Sequence, residues 1–546
     1  MPLCLTTPKK HLGTWHSDAE KPASDVESVR AAIFDLNKPL FVLDSDGAPV
    51  VVTGGEASFG ARTGEGQPVL AYAPPLAPDE LGDDSFRADF GLRYAYVSGA
   101  MANGIASADI CETLAREGML GIFGSAGLPP TVVENNIDRL QASLDDAPFG
   151  CNLIHSPNEP DIERAVADLF IRKGVRIVEA SAYMTLTLPI VRYRVYGIHR
   201  DGDGTIVTPN RVIGKVSRAE VATQFFSPPP EKMLQELVAA GDITAEQAEL
   251  AAQIPMAQDL TAEADSGGHT DNRPLVTLLP TMVMLRDRHQ LKYGYAQNLR
   301  VGAAGGISTP FSAAAAFAMG AAYVVLGSVH QSCVESGTSD IVRELLSQAD
   351  QADVASAPSA DMFEIGAKVQ VLKRGTMFAM RANKLHDLYR SCAGLDDIPA
   401  VERAQLEKQI FKAPLEEIWT QTRAFFEKRD PSQVEKAESN PKHKMALVFR
   451  WYLGQASRWA NAGEPSRRMD YQIWCGPAMG AFNEWAKGSY LEKPENRWVA
   501  DVAKNILYGA AVHTRLNMLR NQGVRFFAEV AQVPPLEPSA MEEYFK

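Results

Sequence analysis

Between Leu92 and about Val334 the chain alternates short apolar runs with helical stretches, and this rhythm constrains the fold more than any other feature. Eight runs read as buried strands: residues 93–98, 120–123, 149–154, 176–179, 211–216, 259–264, 300–304 and 323–326. The stretches between them, such as 107–116, 132–144, 159–173 and 311–319, place apolar residues at helical spacing. Parallel strands buried on both faces need crossover helices outside them. Eight such units in so short a stretch suit a closed (β/α)8 barrel better than an open sheet. The predicted fold class is therefore α/β. Residues 231–253, within a stretch from about 229 to 255, read as an amphipathic helical insertion after the fifth strand that suits a lid or an interface.

The flanks differ in texture. Residues 1–90 combine a helical segment at 24–36 with the β-like runs Leu40-Phe-Val-Leu-Asp44 and Pro49-Val-Val-Val-Thr53, as in a small β-rich cap. The barrel is assigned to 91–340. After about residue 340 the strand signal disappears, and 341–546 reads as an α-helical domain.

Composition narrows the function classes. Of 546 residues 45% are hydrophobic and 22% charged, which suits a soluble globular protein with a large core. A net charge of -13 argues against general nucleic-acid binding, though a local basic patch could still receive an acidic partner. Six scattered cysteines with no CxxC pair or zinc spacing are expected to be reduced thiols in a cytoplasmic protein, and no metal site is predicted. The first residues lack the apolar run of a signal peptide, and no stretch of about 18 apolar residues suggests a membrane span.

In a (β/α)8 barrel the chemistry sits where the strands end at their C-terminal side. After the first strand come Ala100 and Met101, within small residues that let a flat ring approach the backbone. Asn152 follows the third strand and could pair with a heterocycle edge; Ser181 follows the fourth, and Lys215 ends the fifth. The sixth ends in Asp265-Ser-Gly-Gly-His269, where Ser266 and Gly267 could cradle a ligand beneath the His269 imidazole. Gly305 and Gly306 follow the seventh strand, and Gly327 and Ser328 the eighth. Backbone amides in those two loops, at helix starts, form a site for a phosphate dianion. With a lysine near the ring, the set points to FMN as the tightly held cofactor.

Other readings fall away on the residues. No GxGxxG follows the first strand and no GxxxxGK[ST] occurs, so Rossmann and P-loop readings are rejected. Gly124-Ser-Ala-Gly127 lacks the first glycine of a nucleophile elbow. Gly82-Asp-Asp-Ser-Phe86 resembles a carrier-protein phosphopantetheine site, but a strand rather than a helix is expected to follow its serine. His269 could donate a proton near neutral pH. Lys215 could stabilise negative charge on a reduced ring. Cys333 is expected to be inert, and Asp109 and Glu112 to be solvated charges on the first barrel helix.

The barrel resembles the 2-nitropropane dioxygenase-like flavoproteins, which include nitronate monooxygenases and a flavin-dependent enoyl-acyl-carrier-protein reductase. Ser266-Gly-Gly-His269 looks like that group's AGGH motif, and Ala303-Ala-Gly-Gly-Ile307 with Gly327-Ser328 look like its phosphate loops. Over nearly the whole chain the resemblance is to the PfaD family, the stand-alone, trans-acting enoyl reductases of polyunsaturated fatty acid and polyketide synthases. The stretches that carry it are Val97-Ser-Gly-Ala-Met-Ala-Asn-Gly-Ile-Ala106, Glu179-Ala-Ser-Ala-Tyr183, Leu372-Lys-Arg-Gly-Thr-Met-Phe378 and Asp470-Tyr-Gln-Ile-Trp-Cys-Gly-Pro-Ala-Met-Gly480.

The resemblance implies FMN, NADPH as hydride donor, and an enoyl thioester on an acyl carrier protein as substrate. Hydride then reaches the β-carbon from the reduced flavin and a proton reaches the α-carbon, with His269 as the candidate donor. Barrels of this kind often pair, which leaves a homodimer open. Trp451, Trp459, Trp474 and Trp485 read as core of the helical part, with a groove for an acyl chain or a partner as the alternative. Two rival functions stand beside the reductase: a nitronate monooxygenase-like flavin oxidase, and a non-catalytic scaffold for carrier domains.

Overall fold

The computed structural model describes residues 2–5, 11–17, 21–60, 66–157, 159–542 and 545. Eight parallel strands close into a barrel: β1 (Tyr96–Ser98), β2 (Leu120–Phe123), β3 (Phe149–Ile154), β4 (Ile177–Ser181), β5 (Arg211–Val216), β6 (Asp259–Glu263), β7 (Arg300–Ala304) and β8 (Val324–Leu326). All eight fall on the runs read from sequence. Each is a short, almost wholly buried segment, so its burial on both faces is what made it legible. The first barrel helix, α1 (Ala108–Arg116), starts where the Ser107 hydroxyl accepts the Ile110 N–H at 3.1 Å. A later one, α2 (Pro310–Ala318), is capped by Thr309. The 231–253 insertion forms two helices, Glu231–Ala239 and Ala245–Ala251, which pack on the outer helix Leu188–Val195.

The barrel's lower rim is closed by charge. Arg300, 1% exposed at the start of β7, donates to both carboxylate oxygens of Asp259 at 2.7 and 3.0 Å and pairs with Asp89 at 2.7 Å. The same guanidinium donates to the Ser85 hydroxyl at 3.0 Å. This corrects the ground on which the carrier-like motif was set aside. A short helix, Asp84–Phe90, does hold Ser85, but the hydroxyl is bound to Asp83 and Arg300 beneath the barrel. A second correction concerns α1: Glu112 is only 8% exposed and, with Asp109, pairs with Arg139.

Residues after 340 are mainly helical, as the sequence reading expects, but a hairpin comes before most of the helices. Strands Val354–Pro358 and Lys368–Leu372 form a hairpin where the sequence reading expects none, and Gly268–His269 adds to its edge, antiparallel, with His269 opposite Val369. A helical lobe follows, including α3 (Leu415–Arg429) and α4 (Pro441–Ala462), around its own apolar core. The long α5 (Val499–Asn521) instead packs against both α2 and α1, completing the ring of helices after β8. Gly509 makes this approach possible, because a Cβ there would stand 2.5 Å from Pro310 Cγ. The buried Arg515 and the Tyr508 hydroxyl on α5 bind backbone carbonyls of the cap at Ile33 and Phe34. The cap is a five-stranded antiparallel sheet in which Leu40–Ser45 pairs with Ala48–Thr53.

Candidate active site

Three neighbouring strands each carry a charged side chain in a cluster at the barrel mouth: Glu179 within β4, Lys215 near the end of β5 and Glu263 at the end of β6. Lys215 Nζ lies 3.8 Å from Glu179 Oε1 and 3.3 Å from Glu263 Oε1. Burial opposes the ammonium charge, but the two carboxylates outweigh it and raise the Lys215 pKa above its ordinary value. Glu179 also accepts the Ala100 N–H at 2.9 Å, which pins the loop after β1. Asn152 on β3 commits its amide N–H groups to the Ser181 hydroxyl at 2.9 Å and the Glu179 carbonyl at 3.2 Å. Ala100 and Lys215 thereby meet at the buried Glu179 carboxylate, while Asn152 joins the Glu179 main chain to Ser181. Met101 packs beside them, its carbonyl oxygen occupying the place where a Cβ on Gly124 would fall.

The loops after β6, β7 and β8 form a second group. Gly305, at φ +85°, leaves no room for a side chain, since a Cβ would stand 2.6 Å from the Ala264 carbonyl carbon. Beside Gly306 and Gly327, by contrast, an added Cβ would meet nothing within 4 Å. The hydroxyls of Ser266 and Ser308 are buried without a hydrogen-bond partner among the described residues. The Ser308 and Thr309 N–H groups are taken by Ser312 Oγ at 2.9 and 3.0 Å, so the start of α2 caps itself.

Gly476, from the chain between α4 and α5, reaches into this group. Its N–H donates to Ser328 Oγ at 3.1 Å, and a Cβ on it would stand 2.9 Å from the Gly267 nitrogen. Gly267 is equally tight against the Cys475 backbone. The sequence reading placed Gly267 beside a ligand; in the structure the missing side chain makes room for Cys475 and Gly476. Ser328 Oγ accepts from Gly476 and keeps its own proton to donate.

His269 is held from the hairpin side. Its Nε2 lies 3.0 Å from Ser359 Oγ and 3.1 Å from Asp361 Oδ1, and Ser359 donates to the same carboxylate. Burial disfavours the imidazolium, but Asp361 more than compensates and raises the His269 pKa above its ordinary 6.5. Asp361 shows the converse: burial pushes its carboxyl up, yet His269 holds it below the ordinary 3.8.

A cavity of about 450 Å³ extends from His269, Asp361 and Asn152 to the inner faces of α3 and α4. Lys215 and the loops after β7 and β8 lie outside its lining, so the structure separates the predicted residues into a mouth cluster, a three-loop cluster and the His269 end of the cavity. Trp451 and Trp474, read as core, are only partly buried and line this cavity, whereas the Trp485 indole donates to the Val533 carbonyl at 2.8 Å. Cys333 is fully buried and burial holds its thiol well above the ordinary pKa, in keeping with an inert group.

Glu179, Glu263, Ser359 and Asp361 were not singled out from sequence. The first two carried a usable signal, being acids inside short runs that are otherwise mostly apolar or small. Asp361 carried none, because its relation to His269 exists only through the hairpin.

The barrel is of the nitronate monooxygenase class: a family model described as nitronate monooxygenase matches residues 85–361. Another, described as the inserted helical domain of [acyl-carrier-protein] S-malonyltransferase, matches 392–471. A polyunsaturated fatty acid synthase polypeptide of Thraustochytrium sp. (strain ATCC 26185 / S-3) is 46% identical over 92% of this chain and 34% of that protein. The polyketide biosynthesis protein PksE of Bacillus subtilis (strain 168) is 46% identical over 81% of this chain and 58% of its own length. The chain thus spans about a third to just over half of these curated relatives. The enoyl reductase domain of MlnA, from the macrolactin biosynthesis cluster of Bacillus amyloliquefaciens, superposes with a TM-score of 0.78 at 41% identity, covering 81% of this chain and 99% of that one. The chain belongs to the PfaD-like enoyl reductase family.

Proposed function

We propose that the chain is a trans-acting enoyl reductase that uses FMN and NADPH to reduce the α,β double bond of an enoyl thioester on an acyl carrier protein. The observation that carries this reading is the likeness to the MlnA enoyl reductase domain over 99% of that domain. One curated relative is named a polyunsaturated fatty acid synthase subunit and another a polyketide biosynthesis protein, which supports a carrier-bound substrate. In this reading the barrel between about residues 91 and 340 holds the chemistry, the cap of 1–90 braces it, and 341–546 adds the helical parts.

The residues present fit FMN. Open space beside Gly306 and Gly327, with the hydroxyls of Ser308 and, in the loop after β6, Ser266 lacking a partner among the described residues, suits a phosphate. Gly305 and Gly267 shape the same loops, and Ser328 offers its hydroxyl proton. Ala100, Met101, Asn152, Ser181 and Lys215 are the residues for the ring, with Asn152 presenting its amide oxygen. Bound FMN supplies two-electron transfer from the nicotinamide to the alkene.

The remaining steps belong to the chain. Lys215, held charged between Glu179 and Glu263, would offer its ammonium to negative charge on the ring, and burial, which raises the Glu179 carboxyl pKa, weakens that carboxylate's opposition. His269, kept protonated by Asp361, donates to the α-carbon as hydride arrives at the β-carbon, so one hydride and one proton saturate the bond. The resulting neutral imidazole regains its proton from solvent at the cavity.

A nitronate oxidase is the rival, since the matching family model over the barrel carries that name. Anaerobic mixing of the FMN-loaded protein with NADPH separates the two. Bleaching of the flavin is expected, and an unbleached flavin would exclude the reductase.

A further inference from the structure

The cavity beneath α3 and α4 extends well beyond the residues that the chemistry uses. On α4 it is lined by Leu447, Trp451, Gly454 and Arg458, whose spacing of three or four places them on one helix face. From α3 come Thr422, Phe425 and Phe426, and from the barrel side Leu128, Ile154, Ile162 and Val166. The volume of about 450 Å³ falls in the range of small-ligand pockets, about 300–1,000 Å³.

Gly454 is the informative residue in this wall. It sits inside a helix of 22 residues, where glycine costs about 1 kcal/mol relative to alanine. Other helical glycines here are required by packing: a Cβ on Gly480 would overlap the Gln351 nitrogen, and one on Gly509 would stand 2.5 Å from Pro310. A Cβ on Gly454 would meet no protein atom within 4 Å. Gly454 is exposed along the cavity wall, so packing within the protein does not require glycine there, and a larger side chain would take its space from the cavity.

We infer that this cavity receives the acyl chain of the enoyl thioester, and that Gly454 keeps its bore open and so sets the chain length accepted. The inference rests on the enoyl reductase reading above. The stripe of Leu128, Ile162, Val166, Phe426, Leu447 and Trp451 suits methylenes, while Asn103, Gln455 and Arg458 on the same lining offer polar partners toward the pantetheine arm. One end of the cavity meets His269 and Asn152, so a chain lying in it would leave its double bond at the barrel mouth.

The test compares crotonyl and dec-2-enoyl thioesters of pantetheine by NADPH oxidation, in wild type, Gly454→Phe and Trp451→Ala. For Gly454→Phe, the ratio of kcat/KM for dec-2-enoyl over crotonyl is expected to fall roughly 30-fold, as two or three methylenes lose their burial. Trp451→Ala, which enlarges the bore, should move the ratio the other way. A ratio unmoved in both variants overturns the assignment, as does an equal fall for both substrates, which would place the pantetheine arm in the cavity. Decanoyl-pantetheine binding, read by tryptophan fluorescence, distinguishes the two levels of the account. Wild type that binds it tightly, with binding lost in Gly454→Phe, but reduces no thioester would overturn the reductase reading and keep the cavity assignment. Equal binding of decanoyl- and acetyl-pantetheine would overturn the cavity assignment itself.

Discussion

At the scale of single residues, Asp361 changes what His269 can do. An isolated imidazole with a pKa near 6.5 is half deprotonated around neutral pH, whereas the Asp361 carboxylate at 3.1 Å keeps the proton on to higher pH. The sign follows for stability as well as for chemistry. The pair's contribution is present below the raised His269 pKa and is lost as pH rises through it. At the acid end it is lost as pH falls through the depressed Asp361 pKa. Activity should therefore fall on the alkaline side as His269 deprotonates. Asp361→Asn keeps the shape, removes the charge, and should move that alkaline fall to lower pH in a kcat/KM profile. A limb that stays in place would separate Asp361 from the proton donor. His269 was legible in sequence because paired glycines and a strand end preceded it, while Asp361, 92 residues further on, had no local mark.

At the scale of elements, the barrel strands were legible because each is a continuous apolar run. The hairpin was not, although Lys368-Val-Gln-Val begins with the polar–apolar alternation of a strand; in the structure every residue of it after Lys368 is buried. Its partner Val354-Ala-Ser-Ala-Pro358 has only one β-branched residue, and helical segments follow. The pairing with Gly268–His269 then joins elements about a hundred residues apart, which no local pattern records. Placement of α5 in the helix ring between α2 and α1 is hidden for the same reason. The elements at the lower rim act on stability alone. Removing Asp259 would leave the buried Arg300 guanidinium short of its main partner. Asp259→Ala should destabilise the protein by about 3–5 kcal/mol in urea denaturation, and a loss under 1 kcal/mol would show the pair to be dispensable.

At the scale of the whole molecule, the region after residue 340 does three things: it positions His269, wedges Gly476 between the loops after β6 and β8, and roofs the cavity. None of these could be assigned from composition, since they arise from where the lobe packs. The loops after β6, β7 and β8 were readable because the order of strand ends in a barrel is fixed by topology. No helix among the described residues is long and apolar enough to cross a membrane. The central claim, that this arrangement saturates a carrier-bound alkene, is tested most directly by incubating the FMN-loaded protein anaerobically with NADPH and a crotonyl thioester on its acyl carrier protein, and weighing the acyl product. The account predicts NADPH consumption matched mole for mole by conversion of crotonyl to butyryl. Flavin reduced by NADPH with the crotonyl group left intact would contradict it.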